Sequence, residues 1–381
     1  MRLIVSGGGT AGHITPVLAV LEVLNSRVSD LDVLWVGQAG GMEARIVAAH
    51  DINFAAIRAG KFRRVHSRHI IKKIFDPTTI GLNARDSLRV VSGIYQSMGV
   101  IRRFKPDLIF IKGGYVGLPL GIAAGLLKVP YIIHESDLVP GLANRMLAKR
   151  AAAVAVGFPV DKYHDLPGNH LVYTGNPVRR ELLDIDPAKA KRHFGLSAEL
   201  PVILITGGSQ GAREINELVV EALPKLIKQY QIIHLTGEHE IESVQFQVRR
   251  LSLSHPEHYQ AHAFLTSDMG QALAAADVVV SRAGANTIAE LALLEKPTVL
   301  IPNQTMAGHQ VDNARMLARA GAARVISEDQ LSPAVLEREL ATITGSKQEQ
   351  DYLRQHLRQF AVPDADRRLA EEIMTVAHGA L

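Results

Sequence analysis

The sequence predicts an α/β chain of two domains, each a parallel β-sheet with helices on its faces. Short apolar, strand-like runs alternate with helix-like periodic segments along the whole chain, which is typical of parallel strands joined by crossover helices. Three of these runs end in paired glycines, two in the first half of the chain and one at the start of the second half. With 381 residues, of which 47% are hydrophobic, the chain is long enough to bury two cores.

The strand-like runs form two sets along the chain. In the first half they are RLIVS, DVLWVG, LIFIK, YIIHE and AVAVG, and in the second half they are VILIT, QIIHLT, VVVSR and TVLIP. Gly and Pro punctuate the chain at GNPVRRELL, residues 175–183, shortly after the strand-like run LVYTG. We therefore expect an N-terminal domain over residues 1–174 and a C-terminal domain over residues 175–350. Charged amphipathic helices over residues 351–381 are expected to pack back on the N-terminal domain.

The glycine clusters are candidate phosphate-binding loops. They read GGGTAGH (7–13), GGYVGLP (113–119) and GGSQGAR (207–213). Glycine lets the backbone turn tightly and approach a ligand, and free N–H groups at a helix start attract anions. The clusters lack the P-loop pattern, and no acidic residue is well placed for dinucleotide binding. Two such domains suit a sugar-nucleotide enzyme, in which one domain holds the donor diphosphate and the other brings the acceptor.

Composition excludes several classes of protein. The chain has no cysteine, so disulfides, thiolate catalysis and zinc–thiolate sites are excluded. The N-terminal sequence MRLIVSGGG does not resemble a signal peptide, because glycine interrupts its apolar run. No run reaches the roughly 18 apolar residues that a membrane span needs. These observations are typical of a cytoplasmic protein.

The basic residues are concentrated in one stretch. The net charge is +4, but KFRRVHSRHIIKKIF (61–75) has six Lys or Arg and no acid, whereas the rest has 36 basic and 38 acidic residues. A solvated helix face is one interpretation. Nucleic acid is not expected as a partner, because no RNA- or DNA-binding motif accompanies the stretch. Apolar residues interleave with the cations, which favours an anionic membrane surface as the alternative.

Seven motifs identify a family that the chain resembles. They are GGGTAGHITP, GGYVGLP, HESDLVPGLANR, GNPVR, GGSQGAR, SRAGANTIAE and HQVDNA. Their order and approximate spacing, over residues 2–325, resemble those of the MurG transferases, the UDP-N-acetylglucosamine:lipid-linked muramoyl-pentapeptide N-acetylglucosaminyltransferases of peptidoglycan synthesis. The resemblance implies the GT-B fold, two Rossmann-like domains facing a cleft, with no metal or other cofactor. It also implies transfer of N-acetylglucosamine from UDP-N-acetylglucosamine to the 4-hydroxyl of a lipid-linked muramoyl-peptide, with inversion. A bilayer-bound acceptor implies peripheral binding at the cytoplasmic face of the cell membrane.

The resemblance also implies roles for individual residues. His13 is expected to be catalytic, either accepting the acceptor's proton or orienting the donor sugar, although a helix-start histidine can also merely cap or pack. The residues expected to bind the acceptor are Gly8, Gly9, Gly114, Tyr115, His134, Glu135, Asp137 and Asn144. Those expected to bind the donor are Thr10, Ala11, Gly12, Arg179, Gly208, Ser209, Gln210, Phe264, Leu265, Ala285, Glu290, Gln310 and Asn313.

Three donor-side assignments rest on side-chain chemistry. Arg179 offers a fixed positive fork that suits a diphosphate, although it can instead form a surface salt bridge. Glu290 lies in the apolar segment TIAELALL, where ribose hydroxyls or a basic side chain would satisfy its carboxylate. Gln310 and Asn313, three residues apart on a predicted helix, can face the donor sugar or solvent.

One motif departs from the family pattern. Members typically carry HEQN where this chain has His134-Glu135-Ser136-Asp137. An amide that can donate is thus replaced by a carboxylate that, when ionised, only accepts hydrogen bonds. The change indicates either a subfamily with the same reaction or a different acceptor, and the intact PGLANR and donor-side motifs favour the same reaction.

Three other interpretations remain open. Metal-dependent transfer would use Asp-x-Asp pairs, present at Asp30/Asp32, Asp184/Asp186 and Asp364/Asp366. These acids are typical of loops and helix caps, and Asp186 precedes proline as an N-cap would. A UDP-N-acetylglucosamine 2-epimerase or another GT-B sugar-nucleotide enzyme would use the same donor with a different reaction. A non-catalytic sugar-nucleotide-binding module is the third interpretation.

Overall fold

The structure is a computed structural model that describes residues 1–8, 11–60, 77–167, 170–208, 210–265, 268–304 and 309–379. It divides into two compact units. The first unit comprises Met1–Val178 and Val362–Leu381, and the second unit comprises Arg179–Ala361. The sequence places this boundary between residues 174 and 175, whereas the structure divides the chain after Val178.

Both units are built on parallel sheets. The strands of the first unit are β1 (Arg2–Ser6), β2 (Asp32–Gln38), β3 (Asn53–Ile57), β4 (Leu108–Ile111), β5 (Tyr131–Glu135), β6 (Ala153–Val156) and β7 (Leu171–Tyr173). The strands of the second unit are β8 (Val202–Thr206), β9 (Gln231–Leu235), β10 (Tyr259–His262), β11 (Val278–Ser281), β12 (Thr298–Leu300) and β13 (Arg324–Val325).

Helices connect these strands. The described helices are α1 (Ala11–Arg27), α2 (Met42–Ala48), α3 (Pro77–Phe104), α4 (Gly117–Leu127), α5 (Leu142–Ala148), α6 (Pro187–His193), α7 (Arg213–Leu226), α8 (Ile241–Arg249), α9 (Met269–Ala275), α10 (Ala285–Leu293), α11 (His309–Arg319), α12 (Pro333–Thr344), α13 (Lys347–Arg358) and α14 (Ala365–Ala377). Asp186 caps α6, because its carboxylate accepts a hydrogen bond from the backbone N–H of Ala188 at 2.8 Å.

In each unit the chain starts at the centre of the sheet. The strand order is β3-β2-β1-β4-β5-β6-β7 in the first unit and β10-β9-β8-β11-β12-β13 in the second. The first strand of each unit therefore pairs on one side with the next strand along the chain and on the other side with a later strand, both in parallel. Such a switch in connection direction opens a crevice at the carboxyl ends of the strands, where ligands of α/β sheets bind. The predicted pair of Rossmann-like α/β domains is confirmed.

The last two helices belong to different units. We expected all helices after residue 350 to pack on the first domain, but α13 lies in the second unit. Its residues Leu353 and Leu357 are buried in that unit's apolar clusters. On α14, Leu369 and Ile373 are buried against β1 and α1 in the first unit, so only this helix returns to it.

Among the described residues, no helix is both long enough and apolar enough to cross a bilayer.

Candidate active site

The candidate acceptor site lies where the central strands of the first unit end. Strands β1, β4 and β5 are neighbours, so the loops that follow them meet at the same edge of the sheet. Lys112 directly follows β4, and Glu135 is the last residue of β5. Most of the residues predicted to bind the acceptor lie on these three loops or on the helices that begin after them.

The loop after β1 requires glycine because neighbouring groups approach its backbone closely. A Cβ on Gly7 would lie 2.3 Å from the carbonyl oxygen of His13, and one on Gly8 would lie 2.6 Å from Oε1 of Glu43. Gly9 and Thr10, which were expected at the substrates, lie outside the described residues. Ala11 and Gly12 form the start of α1.

His13 lies in the first turn of α1, beside the loop that follows β4. A Cβ on Gly114 would lie 3.8 Å from both Cε1 and Nε2 of His13. Burial and the nearby charge of Lys112 lower the pKa of His13 to about 4, while Asp137 opposes the shift. At neutral pH His13 is therefore an uncharged imidazole, the form that can accept a proton.

Lys112 is a buried lysine at this site that the sequence analysis did not select. Its side chain is 1% exposed, and its Nζ lies 2.8 Å from Nδ1 of His134 and donates a hydrogen bond to Oγ of Ser136. Burial lowers the pKa of Lys112 to about 7, although the carboxylates of Glu135 and Asp137 act in the opposite direction. A lysine that ends an otherwise apolar strand, LIFIK, was the available signal for this residue.

His134 is held as one neutral tautomer. Its Nε2 lies 2.9 Å from the carbonyl oxygen of Gly175, which can only accept a hydrogen bond, so Nε2 carries the proton. Nδ1 is then the acceptor for Lys112. Burial and the charge of Lys112 hold the pKa of His134 well below its usual value. His134 therefore acts as a neutral link between Lys112 and the backbone at Gly175.

Glu135 and Asn144 hold the loop after β5. The Oε1 atom of Glu135 accepts a hydrogen bond from the N–H of Asp137 at 3.0 Å, and Oε2 accepts from the N–H of Gly141 at 2.8 Å. Asn144 donates through Nδ2 to Oε2 of Glu135 at 2.9 Å and to the carbonyl oxygen of His134 at 3.1 Å. Among the described residues, the buried Oδ1 of Asn144 has no hydrogen-bond partner. Burial and the charge of Asp137 raise the pKa of Glu135.

The other predicted acceptor residues extend this site. The carbonyl oxygen of Asp137 accepts a hydrogen bond from the hydroxyl of Tyr163 at 3.1 Å, which holds the loop that carries the Asp137 carboxylate. The hydroxyl of Tyr115 donates to Oε1 of Gln38 at 2.8 Å, so Tyr115 reaches towards the end of β2. Burial and the charges of Glu43 and Asp86 raise the pKa of Tyr115.

The candidate donor site begins at the glycine loop after β8 in the second unit. Gly208 and Gly211 have φ values of +87° and +75°, which favour glycine. The N–H of Gly208 donates to Oγ1 of Thr206 at 3.1 Å, and a Cβ on Gly208 would meet no atom within 4 Å. Ser209 lies outside the described residues, and Gln210 is exposed. The backbone is thus open at Gly208, whereas a Cβ on Gly211 would lie 2.2 Å from the carbonyl oxygen of Thr236.

Arg179 and Glu290 lie close enough to interact electrostatically. The guanidinium of Arg179 forms a salt bridge with Glu181 at 2.8 Å, and among the described residues its buried Nε has no hydrogen-bond partner. Burial raises the pKa of Glu290, on α10, to about 7, while the charge of Arg179 acts in the opposite direction. Both groups were predicted to bind the donor. Arg179 was predicted to bind the diphosphate through its positive charge, and Glu290 to accept hydrogen bonds from the ribose hydroxyls.

The remaining residues predicted to bind the donor differ in whether their side chains are exposed, packed or hydrogen-bonded within the second unit. The side chain of Phe264 is 37% exposed, while Leu265 packs against the core and Ala285 begins α10. Oε1 of Gln310 accepts from the N–H of Asn303 at 3.0 Å. Nδ2 of Asn313 donates to the carbonyl oxygen of Ala283 at 3.0 Å, so the loops after β11 and β12 are linked to α11.

A small group of metal-ligating side chains lies away from these loops. Among the described residues, His255, Glu257 and His258 are the group whose ligand atoms lie within 4.8 Å of one another. They lie at a short 3₁₀ turn before β10, where His255 and Glu257 are exposed and His258 is partly buried. None of them belongs to the predicted sites.

Comparisons with known proteins agree over nearly the whole chain. The Glycosyltransferase family 28 N-terminal domain matches residues 3–156, and the Glycosyltransferase family 28 C-terminal domain matches residues 202–369. The UDP-N-acetylglucosamine–N-acetylmuramyl-(pentapeptide) pyrophosphoryl-undecaprenol N-acetylglucosamine transferase of Natranaerobius thermophilus is 36% identical over 353 residues, which cover 91% of this chain and 92% of the relative. The enzyme of that name numbered 2 in Bacillus anthracis is 38% identical over 333 residues, which cover 87% of this chain and 88% of the relative.

A solved structure supports the same relationship. The crystal structure of Acinetobacter baumannii MurG matches with a TM-score of 0.71 and 27% sequence identity, covering 98% of this chain and 99% of that chain.

Proposed function

We propose a sugar-transfer reaction for this chain, which belongs to glycosyltransferase family 28 and, within it, to the UDP-N-acetylglucosamine–N-acetylmuramyl-(pentapeptide) pyrophosphoryl-undecaprenol N-acetylglucosamine transferases. The chain moves N-acetylglucosamine from UDP-N-acetylglucosamine to the 4-hydroxyl of lipid-linked N-acetylmuramoyl-peptide, with inversion at the anomeric carbon. The observation that carries this proposal is identity of 36–38% to enzymes of that name over most of the chain. The reaction is the step from lipid I to lipid II in peptidoglycan synthesis.

The chemistry of the first unit supports an acceptor site there. In the reaction, the acceptor oxygen forms a bond to the anomeric carbon, the bond from that carbon to UDP breaks, and UDP leaves with the electron pair. The acceptor hydroxyl gives up its proton, which requires a base within hydrogen-bond reach. His13 is uncharged at neutral pH because its pKa is lowered to about 4. We assign proton acceptance or close positioning of the acceptor hydroxyl to this imidazole.

The chemistry of the second unit supports a donor site there. A UDP-sugar brings two phosphates and the paired hydroxyls of a ribose. The open backbone at Gly208 precedes a helix start, which favours anions, and Arg179 adds a positive charge. The carboxylate of Glu290 can accept hydrogen bonds from both ribose hydroxyls. We assign phosphate binding to the first two groups and ribose binding to Glu290.

We propose that protein groups, and not a divalent ion, stabilise the negative charge of the departing UDP. Arg179 and the backbone N–H groups before α7 supply positive potential for the two phosphates. Acids of all three Asp-x-Asp pairs have protein partners, since Asp32 forms a salt bridge with Arg2, Asp186 caps α6 and Asp364 forms a salt bridge with Arg368. Transfer by the purified chain is therefore expected to continue in excess chelator, and loss of activity that Mg²⁺ or Mn²⁺ restores would contradict this assignment.

A measurement of UDP release tests the reaction itself. The purified chain is incubated with UDP-N-acetylglucosamine, with and without the lipid-linked muramoyl-peptide, and free UDP and the disaccharide product are quantified. UDP release that depends on the acceptor supports the transferase. Isomerisation of the sugar nucleotide without an acceptor would instead identify an epimerase. Binding without any turnover would identify a non-catalytic binding module.

We also propose that the chain docks on the cytoplasmic face of the membrane, where its lipid-linked acceptor lies. The basic stretch 61–75, the candidate contact, lies outside the described residues. Support comes from α3, the next described element, on which Leu88, Val91 and Tyr95 are 72%, 50% and 72% exposed. Spacings of three and four residues place these side chains on the same helix face. An exposed apolar face that follows a cationic stretch suits the headgroup region of an anionic bilayer.

A further inference from the structure

Two histidines and a glutamate meet at a turn to which the proposed transfer reaction assigns no role. They are His255, Glu257 and His258, at the 3₁₀ turn Pro256–His258 that leads into β10. Each offers one atom that can bind a metal ion, and these atoms all lie within 4.8 Å of one another. Imidazole nitrogens and carboxylate oxygens are ligands of zinc and of similar transition-metal ions. The turn therefore presents the ligand set of a metal site.

The 3₁₀ geometry of the turn places the two imidazoles on the same side. The N–H of His258 donates to the carbonyl oxygen of His255 at 3.1 Å, which closes the turn. Side chains three residues apart eclipse each other in such a turn. The rings of His255 and His258 accordingly lie nearly parallel, with centroids 4.9 Å apart and 16° between their planes. Pro256, at the first position of the turn, restricts φ to the value that the turn requires.

The carboxylate of Glu257 lies close to both rings. Its Oε1 atom is 3.2 Å from Nδ1 of His255 and 3.8 Å from Nε2 of His258. Glu257 and His255 are exposed, so both side chains can move by the small distance that a shared ion requires, and water can reach the remaining coordination position. One nitrogen of each ring thus already lies near the same carboxylate oxygen.

A group outside the turn holds His258 in the form that binds metals. Its Nδ1 lies 2.8 Å from the carbonyl oxygen of Ile227, which can only accept a hydrogen bond, so Nδ1 carries the proton. In the neutral ring, Nε2 then keeps its lone pair on the side of Glu257. Metal-binding histidines usually donate their other ring N–H to a backbone carbonyl or a carboxylate in this way. Ile227 is buried at the end of α7, so the orientation of His258 is fixed before any ion binds.

We propose that His255, Glu257 and His258 bind one divalent transition-metal ion of the zinc type, with water in the fourth position of a tetrahedral site. Zinc lies about 2.0–2.2 Å from such ligands, so two ligands of one ion are roughly 3.3 Å apart. The two measured separations from Oε1 of Glu257, 3.2 and 3.8 Å, are close to this value. The ring of His255 must turn out of its parallel arrangement with His258 to direct a lone pair at the ion. Its proton then resides on the nitrogen that does not bind the ion.

The ligand set also predicts selectivity and an effect on stability. Mg²⁺ and Ca²⁺ take oxygen ligands, so two imidazoles disfavour them. An ion on these three residues joins the turn before β10 to the end of α7, because His258 also donates to Ile227. An ion that binds only the folded chain stabilises it by mass action. The site is separate from the groups assigned to transfer and does not depend on that assignment.

Titration of the untagged full chain with Zn²⁺ tests the site. Calorimetry is expected to show an ion bound at this turn, and Co²⁺ as a probe is expected to give the visible absorption of a tetrahedral complex. His258→Gln should weaken Zn²⁺ binding roughly a hundredfold, because loss of a group that only orients a ligand already costs about 10- to 100-fold. A large excess of Mg²⁺ should not displace Zn²⁺. Displacement by Mg²⁺ would contradict a site that imidazoles define.

Another histidine of the second unit provides a matched control. Nε2 of His193 lies 3.6 Å from Oδ1 of Asp268, and both side chains are about as exposed as those of the proposed site, but this pair has one imidazole only. His193→Gln should therefore leave Zn²⁺ affinity unchanged. An equal loss in both variants, or no loss in His258→Gln, would overturn the inference. If His258→Gln does not fold, the exposed Glu257→Gln decides, since unchanged affinity there contradicts the site.

Unfolding and transfer measurements then separate this site from the reaction. Zn²⁺ should raise the urea midpoint of the wild-type chain and raise it less in Glu257→Gln. An equal rise in both would place the stabilising ion elsewhere and contradict the proposal. His255→Gln should release UDP with its acceptor at the wild-type rate, and a loss of this activity would contradict the separation of the two sites. A chain that binds Zn²⁺ as expected but transfers no sugar would contradict the proposed function alone.

Discussion

The side-chain nitrogen of Asn144 lies 2.9 Å from Oε2 of Glu135 and donates a hydrogen bond to it. Because Glu135 ends β5 and Asn144 lies on α5, this bond joins the strand to the helix across the loop that carries Asp137. Two backbone N–H groups, those of Asp137 and Gly141, also donate to the same carboxylate. Among the described residues, the hydrogen bonds of the Glu135 side chain are thus all accepted from N–H donors.

Replacing this carboxylate by an amide therefore places the NH2 group of the new side chain against N–H groups that also donate hydrogen bonds. Glu135→Gln keeps the size of the side chain but offers one acceptor oxygen where three N–H groups converge. We expect the free energy of unfolding to fall by roughly 1–3 kcal/mol, measured by urea denaturation. Glu371→Gln is the control, because Glu371 is exposed and pairs with Arg27 on the surface. Equal stabilities of the two variants would show that the loop does not depend on the Glu135 carboxylate.

His13 is expected to govern turnover and not donor affinity. His13→Ala removes the imidazole assigned to the acceptor hydroxyl, so kcat should fall about a hundredfold or more. Affinity for UDP should remain nearly unchanged, because the groups assigned to the phosphates belong to the second unit. Steady-state kinetics and calorimetry with UDP measure the two quantities. Wild-type turnover in this variant would remove His13 from the reaction.

The fold was predictable from sequence where strands are buried on both faces. The run VILIT became β8, all of whose residues are buried. The strands β3, β10 and β13, which the sequence analysis did not identify, lie at sheet edges. The side chains of β10 are only partly buried, and β13 spans two residues. An edge strand is covered less completely, so it does not require the continuous apolar run that marks a central strand.

Residues of the candidate site were selected from the sequence only where a family motif contained them. His13, His134 and Glu135 were selected by their family motifs, whereas Lys112 was missed because lysine at a strand end is usually exposed. Its burial depends on Ser136, which is 24 residues away in the sequence and becomes a neighbour when β4 and β5 pair. Such a contact follows from the sheet register, which hydrophobic periodicity does not specify residue by residue.

Glu290 is expected to contribute to donor affinity. Glu290→Ala should weaken binding of UDP-N-acetylglucosamine by roughly 1–3 kcal/mol, because charge-assisted hydrogen bonds to the ribose are lost. Calorimetric titration of the full chain measures this change, and circular dichroism checks that the variant folds. Glu295→Ala provides the comparison, since Glu295 follows the same helix and pairs with Arg358. Unchanged donor affinity in Glu290→Ala would remove this residue from the site.

The same carboxyl group predicts a pH dependence of donor binding. The pKa of Glu290 is raised to about 7, and hydroxyl donors of a ribose prefer the ionised form. Below pH 7 the group must first lose its proton, so affinity should fall as pH decreases, approaching about tenfold per pH unit. Glu290→Gln has no such ionisation and should bind more weakly with a flat profile between pH 5.5 and 8. An equal slope in both proteins would place the ionisation elsewhere.

The basic stretch 61–75 is expected to govern membrane binding. Anionic lipids attract each Lys or Arg near the surface by about 1 kcal/mol, and six such residues are enough for reversible docking. The proposed patch consists of Lys61, Arg63, Arg64, Arg68, Lys72 and Lys73, with apolar contact from Phe62, Ile70, Ile71, Ile74 and Phe75. Neutralising Arg63, Arg64, Lys72 and Lys73 together should reduce sedimentation with anionic vesicles and make the remaining binding less sensitive to salt.

A matched variant separates local docking from net charge. Neutralising four exposed cations of the second unit, Arg213, Lys225, Arg338 and Lys347, changes the net charge equally and should leave vesicle binding largely intact. Transfer to a detergent-soluble acceptor analogue should survive in both variants, because docking brings the chain to the bilayer and takes no part in the chemistry. Unchanged vesicle binding in the first variant would identify the stretch as a solvated face. If transfer to the soluble analogue falls as much as transfer on membranes, the stretch is instead part of the fold. Docking alone cannot affect a reaction whose substrate is already free in solution.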